Sequence, residues 1–302
     1  MSEVIIPNVT RDDRIGSVFN HLFRIIAESE KLEGKVLWNF QDVHFFHPFF
    51  VFPFSLYRYE LSNKKNVECK GMNDVVQSYF STIKFFDFMD LREIGDFNNV
   101  LKCYKEKSYT PICRFSLSDK NIERMQSIIK DVILQQIKLP INIESHLSYM
   151  LGEFVCNMEE HSQGKYGYIF SQYLKKEKSL YLCLADDGIS IYSSYIFKEK
   201  HLDKIDEYES SALRLAKAGY SSKDRPEAEN RGYGISTNSN LLVKGFGGAF
   251  FILSGGAFHR EEAENNIFIE LPKSIRWNGT IILMKIPLSE AKNVNLYKYM
   301  ER

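Results

Sequence analysis

The sequence lacks a charge excess, a cysteine pattern and a long apolar run. Lys plus Arg and Asp plus Glu both number 39, so the net charge of zero gives no bulk attraction to nucleic acid or anionic membranes. The five cysteines are scattered without a CxxC pair, which argues against a zinc cluster and a disulfide framework. We therefore expect a cytoplasmic protein that binds no nucleic acid.

Segments that enter or cross membranes are also missing. The first residues show no cationic region followed by an apolar one, so no secretory signal is predicted. The most apolar stretch, from Val43 to Tyr57, is too short to span a bilayer and contains two prolines. Because 44% of the 302 residues are hydrophobic, the chain can form the cores of two domains without a membrane partner.

Residues 1–95 have the pattern of a small α/β domain. Short apolar strands are predicted at residues 35–40 and 66–72, and each is followed by a helical pattern. The first helix is predicted to begin at Pro48 and the second to be capped by Asn73. This alternation of strands and helices favours parallel pairing of the strands.

The larger domain is predicted at residues 119–302, after a polar, lysine-rich connection at residues 96–118. It begins with two helices, at about residues 119–137 and 143–161, and continues as strands that favour a mostly antiparallel sheet. A long polar segment from Ser190 to Gly232 is expected to be a functional or mobile loop. The strand patterns lie at residues 166–174, 179–186, 249–256, 267–271 and 279–287.

Two groups of polar residues in this domain suggest a ligand site. Glu153, Asn157 and His161 recur at four-residue intervals and so share one helix face, which by itself is typical of a solvated face. Asp186 and Gly188 follow an apolar strand, as in many ordinary turns. A carboxylate placed there can also accept a hydrogen bond from the adenine amino group, while the glycine lets the backbone approach the base.

A glycine pair opens a later helical pattern. Gly232 and Gly234 flank Tyr233, and a helix that starts this way offers backbone N–H groups and its positive end to phosphate. The pair is weak evidence alone. Its position after the other two groups makes the order of all three informative.

In this order, the residues strongly resemble the motifs of the GHKL ATPase superfamily. Its Bergerat fold is an α+β, two-layer α/β sandwich with a mostly antiparallel sheet and helices on one face. Ser190 stands where the family has a second glycine in the first glycine box, which could reshape that turn. The resemblance covers residues 119–288 and rests on Glu153, Asn157, His161, Asp186, Gly188, Gly232, Gly234 and Thr280.

The resemblance implies ATP and Mg²⁺ as cofactors. Asn157 would ligate Mg²⁺, and Glu153 would orient or deprotonate the attacking water or hydroxyl. Gly232, Tyr233 and Gly234 would meet the phosphates at the end of a mobile lid. By the same resemblance, the lid would span roughly residues 193–231.

The adenine side of the site is implied in the same way. Asp186 would recognise adenine, Gly188 would give access to it, and Thr280 would support Asp186 directly or through water. His161 would support the end of its helix without taking part in the chemistry.

Residues 10–95 resemble STAS-type domains more weakly. The turn that accepts phosphate in such domains reads Phe46-His47-Pro48-Phe49 here and has no Ser or Thr. The small domain is therefore expected to serve docking or dimerisation, and a homodimer remains open.

The two-domain order resembles anti-sigma-factor and serine-kinase-like regulators. The first hypothesis is Mg-ATP-dependent transfer of the γ-phosphate to a Ser or Thr of a partner protein, with a STAS-like protein as one candidate. The alternative is a nucleotide-gated protein-binding switch or slow ATPase without phosphotransfer. A scaffold that no longer binds nucleotide is the third hypothesis.

Overall fold

The computed structural model describes residues 3–10, 17–92, 97–118, 141–222 and 233–288, with scattered positions between 127 and 137. The chain forms two compact units, Met1–Met89 and Asp90–Arg302. Within the described residues, no helix is both long and apolar enough to cross a membrane.

The first unit contains a parallel sheet of three strands. The strands lie in the order β1-β2-β3, and both pairings are parallel, as the alternation of strand and helix patterns predicts. The elements are β1 (Glu3–Ile5), α1 (Ser17–Lys31), β2 (Lys35–Asn39), α2 (Pro48–Ser62), β3 (Asn66–Lys70) and α3 (Asp74–Ile83).

Local signals set the starts of two helices in this unit. Pro48 occupies the first turn of α2, and the preceding His47 is buried and caps the helix, its Nδ1 accepting from the Phe49 N–H at 3.2 Å. The Asn73 side chain caps α3 by accepting from the Val76 N–H at 3.0 Å. Both predicted helix starts are confirmed. The turn at residues 46–49, which corresponds to the phosphate-accepting turn of STAS-type domains in the resemblance, contains the buried cap of α2.

The second unit is built on an eight-stranded sheet with the order β10-β9-β8-β11-β7-β6-β5-β4. The six successive pairings from β10 to β5 are antiparallel, which confirms a mixed fold with a mostly antiparallel sheet. The strands are β4 (Met89–Asp90), β5 (Cys113–Ser116), β6 (Tyr166–Leu174), β7 (Ser179–Asp186), β8 (Ala249–Gly255), β9 (Ala257–Glu262), β10 (Asn265–Glu270) and β11 (Trp277–Pro287).

The helices of the second unit include the one that carries Glu153 and Asn157. This helix, α5 (Ile141–His161), packs an aromatic ring on the sheet, since Phe154 stacks near Phe250 of β8 with ring centroids 6.0 Å apart. A π-helical turn at Leu241–Gly245 follows the last helix. In the described part of this unit, the helices are α4 (Phe97–Lys102), α5 (Ile141–His161), α6 (Ile191–Phe197), α7 (Glu209–Lys217) and α8 (Tyr233–Asn240), with a 3-10 turn at Leu202–Lys204.

The structure differs from the sequence-based expectations in two segments. The stretch predicted to be a connection, residues 96–118, contains α4 and the sheet strand β5, which pairs with β6. The segment expected to be a lid loop contains α6 and α7. Its later part, residues 223–232, lies outside the described residues, as does most of the helix predicted at 119–137.

Strand β9 of the larger sheet, like β4 and β5, has no counterpart among the predicted strands. The charged sequence AFHREE forms β9, in which Glu261 is buried beside Lys217 of α7 at 2.8 Å. A strand with buried charges lacks the apolar alternation by which strands are predicted. Its partner lies on a helix far away in the sequence, so the sequence pattern contains no signal for it.

Candidate functional site

Asp186 is a buried carboxylate at the end of the central strand β7. Its side chain is 6% exposed, and its Oδ1 accepts a hydrogen bond from the Gly188 N–H at 3.0 Å. The pKa of Asp186 is raised to about 7, mainly by burial and also by the neighbouring Asp187, and backbone hydrogen bonds from Gly188 and Thr280 limit the rise. A carboxylate with so little solvent can accept further hydrogen bonds only from groups brought to it.

Gly279 and Gly188 lie where side chains would collide with neighbouring backbone. A Cβ on Gly279 would lie 2.2 Å from the Asp186 carbonyl oxygen, and its φ of +78° is itself unfavourable for other residues. A Cβ on Gly188 would lie 2.0 Å from the Ser162 carbonyl oxygen. Both glycines are therefore required by the packing of the Asp186 turn itself. Access to a base, the role implied for Gly188, is an additional prediction.

A set of hydroxyl groups supports the backbone behind this turn. Thr280 Oγ1 lies 2.8 Å from Ser254 Oγ, and Ser254 Oγ accepts from the Ile191 N–H at 2.8 Å. The support that Thr280 gives Asp186 therefore comes from its backbone, while its hydroxyl faces Ser254. Ser254 has no counterpart in the sequence motifs, because one serine in an apolar strand carries no pattern.

Ser190 suits the backbone conformation of this turn. Its φ is −68°, so the position needs no left-handed conformation. Its Oγ accepts from the Ser193 N–H at 3.1 Å and caps α6. Ser190 therefore starts α6 at this point without straining the backbone.

The structure brings the later glycine motif against the α5 face. A Cβ on Gly234, in the first turn of α8, would lie 2.7 Å from Asn157 Nδ2 and 3.4 Å from Glu153 Oε2. Glycine thus allows the start of α8 to touch both side chains. Tyr233 is the first residue of this helix, and Gly232 lies outside the described residues.

His161, the last residue of α5, contacts the segment that was expected to be a lid. Its Nδ1 lies 2.8 Å from Ser222 Oγ, which lies 3.1 Å from Ser194 Oγ in α6. A small apolar cluster that includes Tyr195 of α6 and Leu215 of α7 joins these helices, and Ile235 of α8 packs against it. These contacts connect the end of α5 to α6 through Ser222, which belongs to no sequence motif.

The donor set suits a magnesium ion that is shared with a ligand. Among the described residues, no three His, Cys, Asp or Glu side chains converge into a metal cluster. The α5 face offers one amide oxygen, from Asn157, beside the Glu153 carboxylate. Mg²⁺ commonly binds through one or two protein oxygens and completes its shell with phosphate oxygens and water, so these residues fit such an ion.

Comparison with known proteins adds no assignment to this geometry. No protein-family model matches the chain, and no curated protein matches it either.

Proposed function

We propose that this chain is a Mg-ATP-dependent regulatory protein of the GHKL type, which transfers the γ-phosphoryl group of ATP to a Ser or Thr of a partner protein. The proposal rests mainly on the close approach of Gly234 to Asn157 and Glu153. This contact brings the start of α8, which is expected to meet the phosphates, to Asn157 and Glu153. These two side chains are expected to hold a metal and to position the acceptor hydroxyl. Gly234 is distant from Asn157 and Glu153 in the sequence, so only the fold brings them together.

The Asp186 turn supports the nucleotide part of the proposal. Its carboxylate is buried, and the two backbone hydrogen bonds that it already accepts orient it. An adenine amino group would donate to it and favour its ionised form, offsetting part of the desolvation that raises the pKa to about 7.

The α5 face supports the transfer part. Asn157 would hold Mg²⁺ through its amide oxygen, and the ion would supply positive charge to the phosphate oxygens. Glu153, one helical turn away, would accept a hydrogen bond from the acceptor hydroxyl and orient it.

The fold supports the family resemblance and a regulatory role. A mostly antiparallel sheet with the site between α5, α8 and the Asp186 turn agrees with a Bergerat-type domain. The parallel three-stranded unit at residues 1–89 agrees with a small STAS-like docking domain. We propose protein docking or dimerisation as its role.

One surface favours the second candidate, a nucleotide-gated binding switch. Five of the eight exposed large apolar side chains among the described residues lie in the short segment between residues 196 and 220, including Phe197 at 62% and Tyr208 at 52% exposure. Ser222, two residues beyond this segment, contacts His161 of α5. A nucleotide that moved the segment would change an apolar surface available to a partner.

Thermal shift with Mg-ATP tests nucleotide binding. We expect ATP to raise the Tm of the wild-type chain and to have a much smaller effect on Asn157→Ala and Asp186→Ala. Asp203→Ala is the matched control, because the Asp203 side chain is 74% exposed and pairs only locally with Lys204. No shift in the wild type, or an equal shift in all variants, would refute the site.

Transfer of labelled γ-phosphate to proteins that co-purify with the chain separates kinase from switch. Glu153→Gln is expected to keep the Mg-ATP thermal shift and to lose transfer by at least about 100-fold. If the wild type never transfers phosphate but ATP changes its affinity for a partner, the switch is the correct function.

A further inference from the structure

Asn238 of α8 has an enclosed side-chain amide. The residue is 0% exposed, and neither its Oδ1 nor its Nδ2 forms a hydrogen bond with any of the described residues. An asparagine amide offers two donors and one acceptor, and burying it without partners is costly. Amides that native structures bury therefore bind a protein group, an ordered water or a ligand.

The polar residues beside Asn238 are also buried, but they have partners within the protein. Ser236 and Ser239 are both buried, and Ser239 Oγ donates to the Ser236 carbonyl oxygen at 3.0 Å. The same hydroxyl accepts a hydrogen bond from Lys217 of α7. Asn238 differs from Ser239 because its hydrogen-bonding capacity is still unused.

Two contacts fix the direction of α8 along α5. At the start of α8, the Cβ position of Gly234 lies 2.7 Å from Asn157 Nδ2. Phe246, which follows the π-helical turn after α8, packs on His146 near the start of α5, with ring centroids 5.2 Å apart. The chain from Gly234 to Phe246 therefore runs antiparallel to α5.

Between these two contacts, Asn238 lies level with Glu153. Asn238 follows Gly234 by four residues and Glu153 precedes Asn157 by four, so both steps advance about 6 Å in the same direction on the same helix face. The Cβ position of Gly234 is also 3.4 Å from Glu153 Oε2, so this carboxylate faces α8. The enclosed amide thus shares the contact between α5 and α8 with the side chain that would orient the acceptor.

We propose that Asn238 is a positioning residue, which holds Glu153 through one enclosed water molecule. The water would accept a hydrogen bond from Asn238 Nδ2 and donate one to a carboxylate oxygen of Glu153, so it would have two polar partners. Because the amide forms no direct bond to the carboxylate, a bridging water is the smallest group that joins them. The role in catalysis rests on the proposed transfer of phosphate.

The bridge would set the orientation of the Glu153 carboxylate. One of its oxygens would accept from the water, which leaves the other oxygen to the acceptor hydroxyl. A carboxylate held in this way needs less reorganisation when the acceptor enters. Asn238 would act only through Glu153 and would touch neither ATP nor the acceptor.

A high-resolution crystal structure of the full chain without nucleotide tests the water site. We expect a water oxygen within about 3.2 Å of both an amide atom of Asn238 and a carboxylate oxygen of Glu153. A site without water, a water bound to only one of the two side chains, or a direct bond from the amide to a protein group would overturn the inference. The Mg-ATP thermal shift measures nucleotide binding independently of these outcomes.

Isosteric exchange of the two side chains tests their link without creating a cavity. Asn238→Asp places a second carboxylate at the same water, so we expect the Tm to fall by about 3 °C or more, because like charges repel in an enclosed site. Adding Glu153→Gln restores one carboxylate and one amide and should recover most of the loss.

Asn240→Asp is the matched control for this exchange. Asn240 lies on the opposite side of α8, and its side chain forms no capping hydrogen bond. Its effect on the Tm should be the same with and without Glu153→Gln. If Asn238→Asp also caused equal losses in both backgrounds, Asn238 would not act on Glu153 and the inference would be wrong.

The phosphate-transfer assay tests the positioning role. We expect Asn238→Ala to keep the Mg-ATP thermal shift and the KM for ATP, and to lower kcat by about 10-fold or more, because only the orientation of Glu153 is lost. Asn240→Ala should keep both constants. An unchanged kcat in Asn238→Ala would remove the positioning role. A wild type that binds Mg-ATP but never transfers phosphate would refute the proposed function, and the crystal structure and the exchange would still decide the water site.

Discussion

Gly279 lies against Asp186 so closely that a single added carbon would overlap both the backbone and the side chain of the aspartate. The Cβ position is 2.2 Å from the Asp186 carbonyl oxygen and 2.7 Å from its Oδ1. Two antiparallel strands, β11 and β7, thus meet at the point where the proposed adenine-binding carboxylate is held. Gly279, which directly precedes Thr280 of the closing-strand motif, thus shapes the site.

Gly279→Ala should destabilise the second unit by about 3 kcal/mol or more, because overpacking adds to the cost of a positive φ. Gly34→Ala is the control, since Gly34 has a φ of +72° but no atom within 4 Å of its Cβ position, and should cost about 1 to 2 kcal/mol. Urea unfolding measures both. Equal costs would show that the contact with Asp186 is unimportant.

Asp186→Asn should change how stability depends on pH. The folded pKa of about 7 exceeds the unfolded value of about 3.9, so this group favours folding below pH 4 and loses that contribution as pH rises through 7. The asparagine cannot ionise and keeps an acceptor oxygen. Relative to the wild type, the variant should gain up to about 4 kcal/mol between pH 4 and 8, because one pKa unit corresponds to about 1.4 kcal/mol.

Urea unfolding at several pH values checks this difference. A constant gap between Asp186→Asn and the wild type across the range would mean that Asp186 is not desolvated in the folded chain. The same variant should lose most of its Mg-ATP thermal shift, because an adenine amino group would no longer meet a charged acceptor.

Gly234→Ala should impair the effect of Mg-ATP more than folding. The new methyl group would overlap the Asn157 amide, which is a movable side-chain end, and alanine favours a helix. We expect a change below about 1 kcal/mol in unfolding free energy and loss of most of the thermal shift. Gly256→Ala, where the nearest atom is 3.6 Å from the Cβ position, should keep that shift. A normal shift in Gly234→Ala would contradict the role of this contact.

Lys217→Met should cost about 3 to 5 kcal/mol, because it leaves Glu261 buried and charged without its partner 2.8 Å away. The double variant Lys217→Met, Glu261→Gln should recover a large part of this loss. Lys204→Met, at an exposed pair with Asp203, should leave stability unchanged. A double-mutant cycle by urea unfolding measures the coupling, and additive losses would exclude it.

Local features made much of the fold predictable. Pro48 and Asn73 mark helix starts through their own backbone and side-chain chemistry, which does not depend on distant residues. The strand patterns also predicted the parallel sheet of the first unit and the antiparallel character of the second. β9 and the helices α6 and α7 were missed because buried charges and polar helices are stabilised by distant partners, as Glu261 is by Lys217.

The sequence by itself determined that Glu153, Asn157 and His161 share a helix face, since four-residue spacing on a helix requires no other contact. Only the tertiary structure placed Gly234 on that face, buried Asp186 enough to raise its pKa, and brought Ser222 to His161. These relationships depend on which segments pack together. The sequence contains the side chains of a site, but long-range packing decides their distances and their surroundings.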